Sequence, residues 1–275
     1  MAVKSNKRFI HLVLIAGSIV MLLPFAWMLL TSFKTMAESM AFPPTILPDR
    51  WMFTNYVDVM FNENTFFALN YLNTIIVTVC RTVGQLLLCS LAAYAIATLY
   101  FPGKNVIFLL ILSVMMIPNQ IVIIPTYILM RDLDWLDTYQ ALIIPGIASA
   151  FGVFLLRQFF MSVPHEINEA ARMDGCSLFR IYWKIYIPLS GPALVSLSIF
   201  VIMAAWNDFL APLVLTNSSE MYVLSIAIAN FVGEYETNYP QMMAAATLSV
   251  IPLIAAFVIL QRYFVEGISM TGVKG

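Results

Sequence analysis

The amino-acid sequence predicts an all-α membrane protein with six transmembrane helices. Of its 275 residues, 61% are hydrophobic and only 11% are charged, whereas a typical soluble domain contains about 25% charged residues. The chain therefore lacks the polar surface that a water-soluble protein needs. Its apolar residues also gather in runs close to the roughly 20 residues with which a helix crosses a bilayer. The net charge of −1 provides no basic excess for binding nucleic acid.

Six apolar runs are the predicted spans. In chain order they cover approximately residues 9–33, 71–99, 106–129, 140–160, 191–215 and 241–264. The first run follows basic residues as a signal peptide would, but it exceeds the about 7–15 residues of a signal peptide's apolar region, so we expect an uncleaved span. The pattern predicts one membrane domain, 9–264, between an N-terminus, 1–8, and a C-terminal tail, 265–275.

Prolines interrupt five of the six predicted spans: Pro24, Pro118, Pro125, Pro145, Pro212 and Pro252. A proline removes a backbone donor and kinks a helix unless its neighbours satisfy the freed carbonyl. Two interpretations stay open at this point. Membrane helices tolerate proline without consequence, or bent helices here frame a central cavity.

Basic residues predict that both termini are cytoplasmic. With that orientation the inner segments contain ten Lys and Arg residues, the outer segments contain three, and Arg81 lies within the second span. The inner ten are Lys4, Lys7, Arg8, Lys104, Arg157, Arg172, Arg180, Lys184, Arg262 and Lys274, and the outer three are Lys34, Arg50 and Arg131. Cytoplasmic loops carry such an excess in membrane proteins generally.

Segment 162–190 is a polar stretch between two apolar runs and is predicted to face the cytoplasm. Ile167, Ala170 and Ala171 share one face of a short helix, Gly175 provides the positive φ of its C-terminal cap, and Ser177 caps a second helix. Each helix is shorter than the roughly 12–15 residues that are marginal in water, so both need a docking surface. That surface is either a partner protein or lipid headgroups.

Few residues in the predicted spans can carry chemistry. Ionisable groups inside a membrane are costly and usually face a cavity or a partner, which selects Arg81 and Asp208. Asn119, Gln120 and Asn207 are polar neighbours at comparable depths. The predicted substrate path consists of Arg81, Gln120, Asn207 and Asp208, and Trp206 and Tyr94 are further candidates for stacking on a sugar ring. Arg81 has the alternative role of tying two helices together, and Asp208 can lie near the outer end of its span.

The sequence offers no catalytic or metal-binding constellation. Cys80, Cys89 and Cys176 are widely spaced, and His11 and His165 lie far apart. The only Gly-Lys pair, Gly103-Lys104, lacks the upstream glycine of a phosphate-binding loop. We therefore expect a non-catalytic protein without a cofactor of its own.

Several motifs resemble those of one protein family, the permease subunits of bacterial ABC importers. Glu169-Ala170-Ala171 with Gly175, followed by Ile185-Tyr186-Ile187-Pro188, resembles the family's signature loop, although the family usually has Leu at the position of Ile187. Further segments look like the carbohydrate branch of that family, in particular the second permease of maltose-type importers: Phe42-Pro43-Pro44, Phe101-Pro102-Gly103, 117–120, 206–213 and 267–275.

The resemblance implies a type I ABC-importer permease fold with a cytoplasmic coupling helix. It implies that Glu169, Ala170, Ala171, Asp174 and Gly175 contact the ATPase, and that the tail residues Gly272, Val273, Lys274 and Gly275 reach into the ATPase dimer. The implied partners are a second homologous permease in a heterodimer, an ATPase dimer that binds ATP and magnesium, an extracytoplasmic sugar-binding protein and membrane lipid. The implied location is the bacterial inner membrane.

The expected function is that of a permease subunit in an ATP-driven importer for a sugar or oligosaccharide. The alternative is a self-sufficient secondary transporter, which should show internal repeats and buried ionisable relays. An intramembrane enzyme is a third class, and it should display paired catalytic groups within the spans.

Overall fold

The computed structural model describes residues 7–62, 65–232 and 237–272, with side chains over 9–62, 65–232 and 237–261. Within these ranges the chain is helical, with no strand and one isolated antiparallel bridge between Val232 and Thr237. The helices are α1 (Lys7–Ser32), α2 (Met36–Ser39), α3 (Thr54–Phe61), α4 (Phe67–Thr98), α5 (Lys104–Val114), α6 (Asn119–Asp132), α7 (Tyr139–Ile143), α8 (Ala150–Phe160), α9 (His165–Met173), α10 (Leu178–Ile181), α11 (Ile187–Leu189), α12 (Gly191–Trp206), α13 (Leu210–Leu215), α14 (Leu224–Ala229) and α15 (Tyr239–Gly272). Single 3₁₀ turns cover Ile144–Gly146 and Ser219–Met221, and a π-helical turn covers Tyr182–Tyr186.

Four of the described helical segments are long and apolar enough to cross a membrane, and the number rises to six if each of two bent helix pairs is one span. The four are Phe9–Ser32, Phe67–Thr98, Tyr139–Phe160 and Tyr239–Gln261. The bent pairs are Lys104–Val114 with Asn119–Asp132, and Leu178–Leu189 with Gly191–Trp206. The predicted all-α class is therefore confirmed. Each of the four single segments and each bent pair overlaps one of the six apolar runs, although Leu178–Leu189 itself lies before the run 191–215.

Three expected spans are not single straight helices. The run 140–160 is divided among α7, the 3₁₀ turn Ile144–Gly146 and α8. The run 106–129 is divided between α5 and α6, whose axes differ by 98°. Pro118 immediately precedes α6 and disfavours a helical conformation of Ile117, so the chain turns there. The run 191–215 is divided as well, because α12 ends at Trp206 and a short loop separates it from α13.

The other prolines behave differently from one another. Pro24, Pro125 and Pro252 lie inside continuous helices, as expected where a membrane helix tolerates proline. Pro145 lies in a 3₁₀ turn. Helices are therefore continuous at some of the prolines and interrupted at others.

One compact unit is formed by residues 1–68 together with 227–251. Its described part contains an aromatic cluster next to the end of α1, where the Phe33 ring lies 5.1–5.3 Å from the rings of Trp51, Phe53 and Tyr56. The buried Asn55 side chain donates to the carbonyls of Ser32 and Lys34 at 2.8 and 3.0 Å. These contacts attach α3 to the end of α1.

A second compact unit is formed by residues 69–226 together with 252–275. Its largest buried cluster joins α4, α8, the 162–190 loop and α12, and includes Cys89, Tyr94, Leu156, Phe160, Ile181, Tyr182, Tyr186 and Leu197. Small residues allow close packing of helices in membranes. A Cβ atom at Gly84 would lie 2.9 Å from Ile147 Cβ, and one at Gly152 would lie 2.9 Å from Cys89 Sγ. Glycine at both positions therefore lets α4 approach segment 144–152.

Candidate functional site

A cavity of about 470 Å³ lies within the second unit, between α4, α6, segment 141–149, α12 and α13. Its volume is in the range of about 300–1,000 Å³ that is common for small-molecule sites. Apolar side chains form most of its wall. The polar side chains of the wall are Arg81, Gln85, Asn119, Gln120, Thr126, Ser149 and Asp208.

An ion pair joins two sides of this cavity. The Nη1 atom of Arg81 donates to Oδ2 of Asp208 at 2.9 Å, and Nε of Arg81 donates to the carbonyl of Leu142 at 2.7 Å. The side chains of Arg81 and Asp208 are 11% and 24% exposed. Both charges are therefore largely removed from solvent, and each depends on the other for compensation.

Asp208 lies in the loop between α12 and α13. Its Oδ1 atom accepts the N–H of Ala211 at 3.4 Å, and its backbone carbonyl accepts the hydroxyl of Ser225 at 2.7 Å. A carboxylate beside the first turn of a helix is stabilised by the unpaired N–H groups there. The start of α13 thus helps to hold the carboxylate towards Arg81.

A second polar group is held by the wall formed by α4 and segment 144–152. The hydroxyl of Ser149 donates to Oε1 of Gln85 at 2.7 Å, and Nε2 of Gln85 donates to the carbonyl of Gly146 at 2.8 Å. Ser149 Oγ also accepts the N–H of Gly152 at 3.0 Å, which caps α8. These side chains are fixed before any ligand arrives.

Unlike Gln85 and Ser149, the side-chain amides of Asn119 and Gln120 are not held by hydrogen bonds within the described residues. Both residues are exposed, in the first turn of α6 just after the bend. Within the described residues neither side chain forms a hydrogen bond, so both amides remain available in the cavity wall. The 98° angle between α5 and α6 is what directs this turn of α6 to the cavity.

The 162–190 loop forms a second candidate site. Its helix α9 is amphipathic, with Asn168 and Ala171 buried at 2% and 7% exposure. Glu169 and Ala170 lie on the exposed side, and Asp174 beyond the helix is exposed as well. The loop therefore packs one face on the chain's own core and leaves a polar face uncovered by the described residues.

The predicted local features of this loop are present. Gly175 has φ +76° and follows the end of α9, as expected for a C-terminal cap. Ser177 Oγ accepts the N–H of Arg180 at 3.3 Å and caps α10. A π-helical turn that the sequence analysis did not predict follows, in which the N–H of Ile187 donates to the carbonyl of Tyr182.

Aromatic residues attach the loop to α4. The hydroxyl groups of Tyr182 and Ser90 are 2.7 Å apart, and the hydroxyl of Tyr94 donates to the carbonyl of Leu178 at 3.1 Å. The ring of Tyr94 lies 5.3 Å from that of Tyr182 and 4.9 Å from that of Tyr186. The loop and α4 are thus joined by both packing and hydrogen bonds.

Comparison with known families identifies the class of protein. The family described as "Binding-protein-dependent transport system inner membrane component" matches residues 85–270. This range is more than half of the chain and includes the entire 162–190 loop. The chain belongs to this family. It is therefore a multi-pass inner-membrane permease of a binding-protein-dependent transport system, which favours an importer subunit over a self-sufficient secondary transporter.

Relatives resemble this permease along nearly its full length. The arabinooligosaccharides transport system permease protein AraQ of Halalkalibacterium halodurans is 35% identical over 92% of this chain and 91% of its own. The diacetylchitobiose uptake system permease protein NgcG of Streptomyces coelicolor is 30% identical over 98% and 90%. The sn-glycerol-3-phosphate transport system permease protein UgpE of Yersinia pestis is 33% identical over 96% and 97%.

A solved structure shares the fold of the permease. It is a chain of a bacterial ABC transporter involved in the import of the acidic polysaccharide alginate, with 27% sequence identity and a TM-score of 0.84. The match covers 96% of this permease and 99% of that chain. The ABC-importer permease fold that the sequence motifs imply is thereby confirmed.

The structure brings three of the four predicted substrate-path residues together. Arg81, Gln120 and Asp208 line the cavity of the permease. Asn207 does not line it; this exposed side chain donates to the carbonyl of Met203 at 2.8 Å. The helix end at Trp206 points successive residues in different directions, so adjacency to Asp208 along the chain does not give a shared site.

The two aromatic residues considered for sugar stacking lie elsewhere. Tyr94 is 5% exposed in the core cluster below the 162–190 loop. Trp206 is 7% exposed and contacts the ring of Tyr71 at a centroid distance of 5.9 Å. Neither ring lines the cavity, because both pack helices together. That either ring stacks on a sugar stays a prediction.

The predicted coupling residues are distributed over both faces of the loop. Glu169, Ala170, Asp174 and Gly175 are exposed, but Ala171 is buried in the permease's own core. Ala171 therefore cannot offer a contact surface as the shared face with Ala170 implied. Of the predicted tail, Gly272 is the last residue of α15, and Val273, Lys274 and Gly275 lie outside the described residues.

Sequence reasoning did not select Gln85, Ser149 or Gly146. Gln85 is one helical turn after Arg81 on α4, so the i, i+4 spacing on a helix face was a usable signal. Ser149 and Gly146 carry no such signal, since tertiary packing alone places their segment against α4.

Proposed function

We propose that this permease is a transmembrane subunit of an ATP-driven ABC importer for a sugar or oligosaccharide. The names of AraQ and NgcG, which refer to arabinooligosaccharides and diacetylchitobiose, support this substrate class. The observation that carries the proposal is the 162–190 loop, which is anchored on one face and exposes a polar surface on the other.

In this proposal the loop transmits force from a separate ATPase. Glu169, Ala170, Asp174 and Gly175 form the contact surface, and the buried side of α9 passes displacement to the membrane helices. A carboxylate such as that of Glu169, which is 68% exposed and lies 3.2 Å from Nδ1 of His165, can pair with a basic residue of the partner. The exposed methyl side of Ala170 permits close approach.

The cavity contributes to the translocation pathway. Arg81, Gln120 and Asp208 lie in its wall, and polar groups converging on an otherwise apolar cavity are typical of small-molecule sites. Asn207, which points elsewhere, is expected to be replaceable by Ala without loss of uptake. An uptake defect in that variant as large as in Gln120→Ala would place the pathway differently.

The remaining partners and the orientation belong to the same proposal. A second homologous permease completes the pathway, an ATPase dimer binds ATP and magnesium, and an extracytoplasmic protein delivers the sugar. The permease itself performs no catalysis and holds no cofactor. Both termini are cytoplasmic, consistent with the distribution of Lys and Arg, and the tail residues Gly272, Val273, Lys274 and Gly275 contact the ATPase.

The Glu169→Lys variant tests the coupling role. Replacing a carboxylate by an ammonium group turns attraction into repulsion at a charged contact. We expect the variant to remain in the membrane, to lose copurification of the ATPase and to abolish uptake. Membrane fractionation, affinity copurification and uptake of a labelled arabino-oligosaccharide measure the three quantities.

Glu220→Lys is the matched control, because it makes the same charge change at an exposed residue outside the loop. We expect normal copurification of the ATPase in this control. Normal ATPase association and uptake in Glu169→Lys would reject the coupling assignment. Cross-linking of an Ala170→Cys variant distinguishes a protein partner from a loop that rests on lipid.

A further inference from the structure

We propose that the cavity wall of this permease selects neutral, hydroxyl-rich ligands against anionic ones. This inference rests on the proposed function and narrows its substrate class. Relatives of similar identity are named for both chemistries, a neutral arabino-oligosaccharide and an anionic glycerol phosphate. The distinction must therefore come from the permease's own residues.

The cavity carries no uncompensated charge. Among the described residues of its wall, Arg81 and Asp208 are the only ionisable ones. Their side chains are paired at 2.9 Å, so the positive charge is matched by a negative one inside the wall itself. A second donor of Arg81, Nε, is already used by the carbonyl of Leu142.

An anion that enters this cavity therefore loses hydration without gaining a countercharge. A buried charge is costly unless it is paired and hydrogen-bonded. To pair with Arg81, a phosphate or carboxylate would have to displace Asp208 or lie beside its carboxylate, and like charges at such distances repel. Asp208 thus acts as the internal anion that excludes an external one.

The remaining polar groups suit hydroxyl groups of a neutral ligand. The unpaired amides of Asn119 and Gln120 each provide a donor and an acceptor, and a sugar hydroxyl uses both. The Gln85 and Ser149 side chains are held in place by their own hydrogen bonds at 2.7 and 2.8 Å. The apolar remainder of the wall accommodates the C–H faces of a sugar ring.

Gln120→Lys is the variant that tests the charge argument. Gln120 is exposed in the cavity wall and forms no hydrogen bond among the described residues, so a lysine there adds a cation without breaking the ion pair. Gln120→Met is the matched control, because it has a similar length and no charge. The complete complex of two permeases and ATPase is used, in nanodiscs and without the external binding protein.

Binding of two probes, arabinobiose and sn-glycerol 3-phosphate, is measured by equilibrium dialysis. We expect the unaltered complex to bind arabinobiose at least about tenfold more tightly than the phosphate. In Gln120→Lys the affinity for sn-glycerol 3-phosphate should rise about tenfold relative to the affinity for arabinobiose, which corresponds to about 1.4 kcal/mol. Gln120→Met should not raise phosphate binding.

Preferential binding of the phosphate by the unaltered complex overturns the inference, and so does an unchanged ratio in Gln120→Lys. Binding of neither probe overturns it as well. ATP-dependent uptake by the same complex, now with its binding protein, tests the proposed function separately. A complex that couples ATP hydrolysis to uptake but prefers the phosphate contradicts only the selectivity proposed here.

Discussion

Gly146 determines whether the ion pair of the cavity can form. A Cβ atom at this position would lie 2.7 Å from Nε and 2.8 Å from Cδ of Arg81. Any larger residue must displace the side chain that pairs with Asp208. Since one partner of a buried pair depends on the other, a single methyl group outside the pair is expected to disturb both charges.

Gly146→Ala is therefore expected to reduce both stability and uptake. Inserting a methyl group into a packed region costs about 1–3 kcal/mol, and the displaced Arg81 loses its geometry towards Asp208. Thermal denaturation of the purified complex and uptake assays measure the two effects. Gly17→Ala is the control, since nothing lies within 4 Å of a Cβ atom there. Equal thermal stability and equal uptake in the two variants would contradict this role of Gly146.

Asp137 provides a pH-dependent contact outside the spans. Its Oδ1 atom accepts the N–H groups of Asn217 and Ser218 at 2.9 and 3.0 Å. Burial raises the pKa of this carboxyl. The hydrogen bonds from Ser218 and Asn217 together lower it by more, so the net pKa lies below its ordinary value. A carboxyl with a lowered folded-state pKa stabilises the fold above its unfolded pKa of about 3.9.

We expect the stability of this local contact to be constant from neutral pH down to about 5. It should decrease as the pH falls through the lowered pKa of Asp137. Hydrogen exchange of the Asn217 and Ser218 amides, corrected for intrinsic rates, measures it. Asp137→Asn cannot ionise, so its amide protection should not depend on pH in this range. A pH dependence that persists in that variant would exclude Asp137 as its source.

Helix α4 connects the two candidate sites. Arg81 lines the cavity, and Ser90 on the same helix contacts Tyr182 of the 162–190 loop. Nine residues at about 1.5 Å each separate them by about 14 Å along the axis. Because the helix is continuous from Phe67 to Thr98, a displacement of the loop reaches the cavity wall through one rigid element.

Tyr182→Phe is expected to weaken this connection without removing the ring packing. Ser90 Oγ donates to carbonyls of its own helix, so Tyr182 is the donor between the two hydroxyls. Loss of one buried hydrogen bond costs about 1 kcal/mol, or about fivefold in an equilibrium. We expect uptake to fall by about that factor while ATP hydrolysis continues.

Tyr100→Phe is the control for this variant, because the Tyr100 side chain is fully exposed. It removes a hydroxyl group of the same kind with no effect expected on uptake or ATP hydrolysis. Parallel loss of hydrolysis and uptake in Tyr182→Phe would indicate damaged ATPase association and contradict a connecting role of the tyrosine.

The whole molecule exposes its apolar side chains where a membrane would cover them. Large apolar residues are exposed along most of α1 and along the part of α15 from Ile251 to Ile259. A soluble protein could not present such surfaces to water. The proposed orientation places the 162–190 loop on the cytoplasmic side and segment 216–240 outside.

Cysteine labelling of intact cells tests this orientation. In a background with the three native cysteines replaced by alanine, we expect a membrane-impermeant maleimide to label Glu220→Cys and not Ser162→Cys. Permeabilised cells should give labelling of both, since both positions are exposed and lie outside the proposed ATPase contact. Labelling of Ser162→Cys in intact cells would contradict the predicted topology.

Sequence patterns predicted the class of fold and the positions of the apolar helices. Hydrophobic run length depends only on the thickness of the bilayer, so these predictions needed no knowledge of packing. The cap at Gly175 and the cap at Ser177 were predictable for the same reason, because capping is decided by a few adjacent residues.

Only part of the candidate site could be predicted from the sequence. A charge in an apolar run is visible in the sequence, and this signal selected Arg81 and Asp208, which line the cavity and pair with each other. Trp206, Tyr94 and Asn207 were selected by residue type and position along the chain, and neither property specifies which side of a helix faces a cavity.

By itself the sequence determined that the chain is a helical membrane protein with a polar loop at 162–190, because composition, run length and local caps act over a few residues. Only the tertiary structure decided that Arg81 pairs with Asp208, 127 positions later, and that Ala171 is buried while Ala170 is exposed. Packing between distant segments sets these relations: glycine at 84, 146 and 152 lets α4 and its neighbour approach, and the bend before α6 directs Gln120 to the cavity.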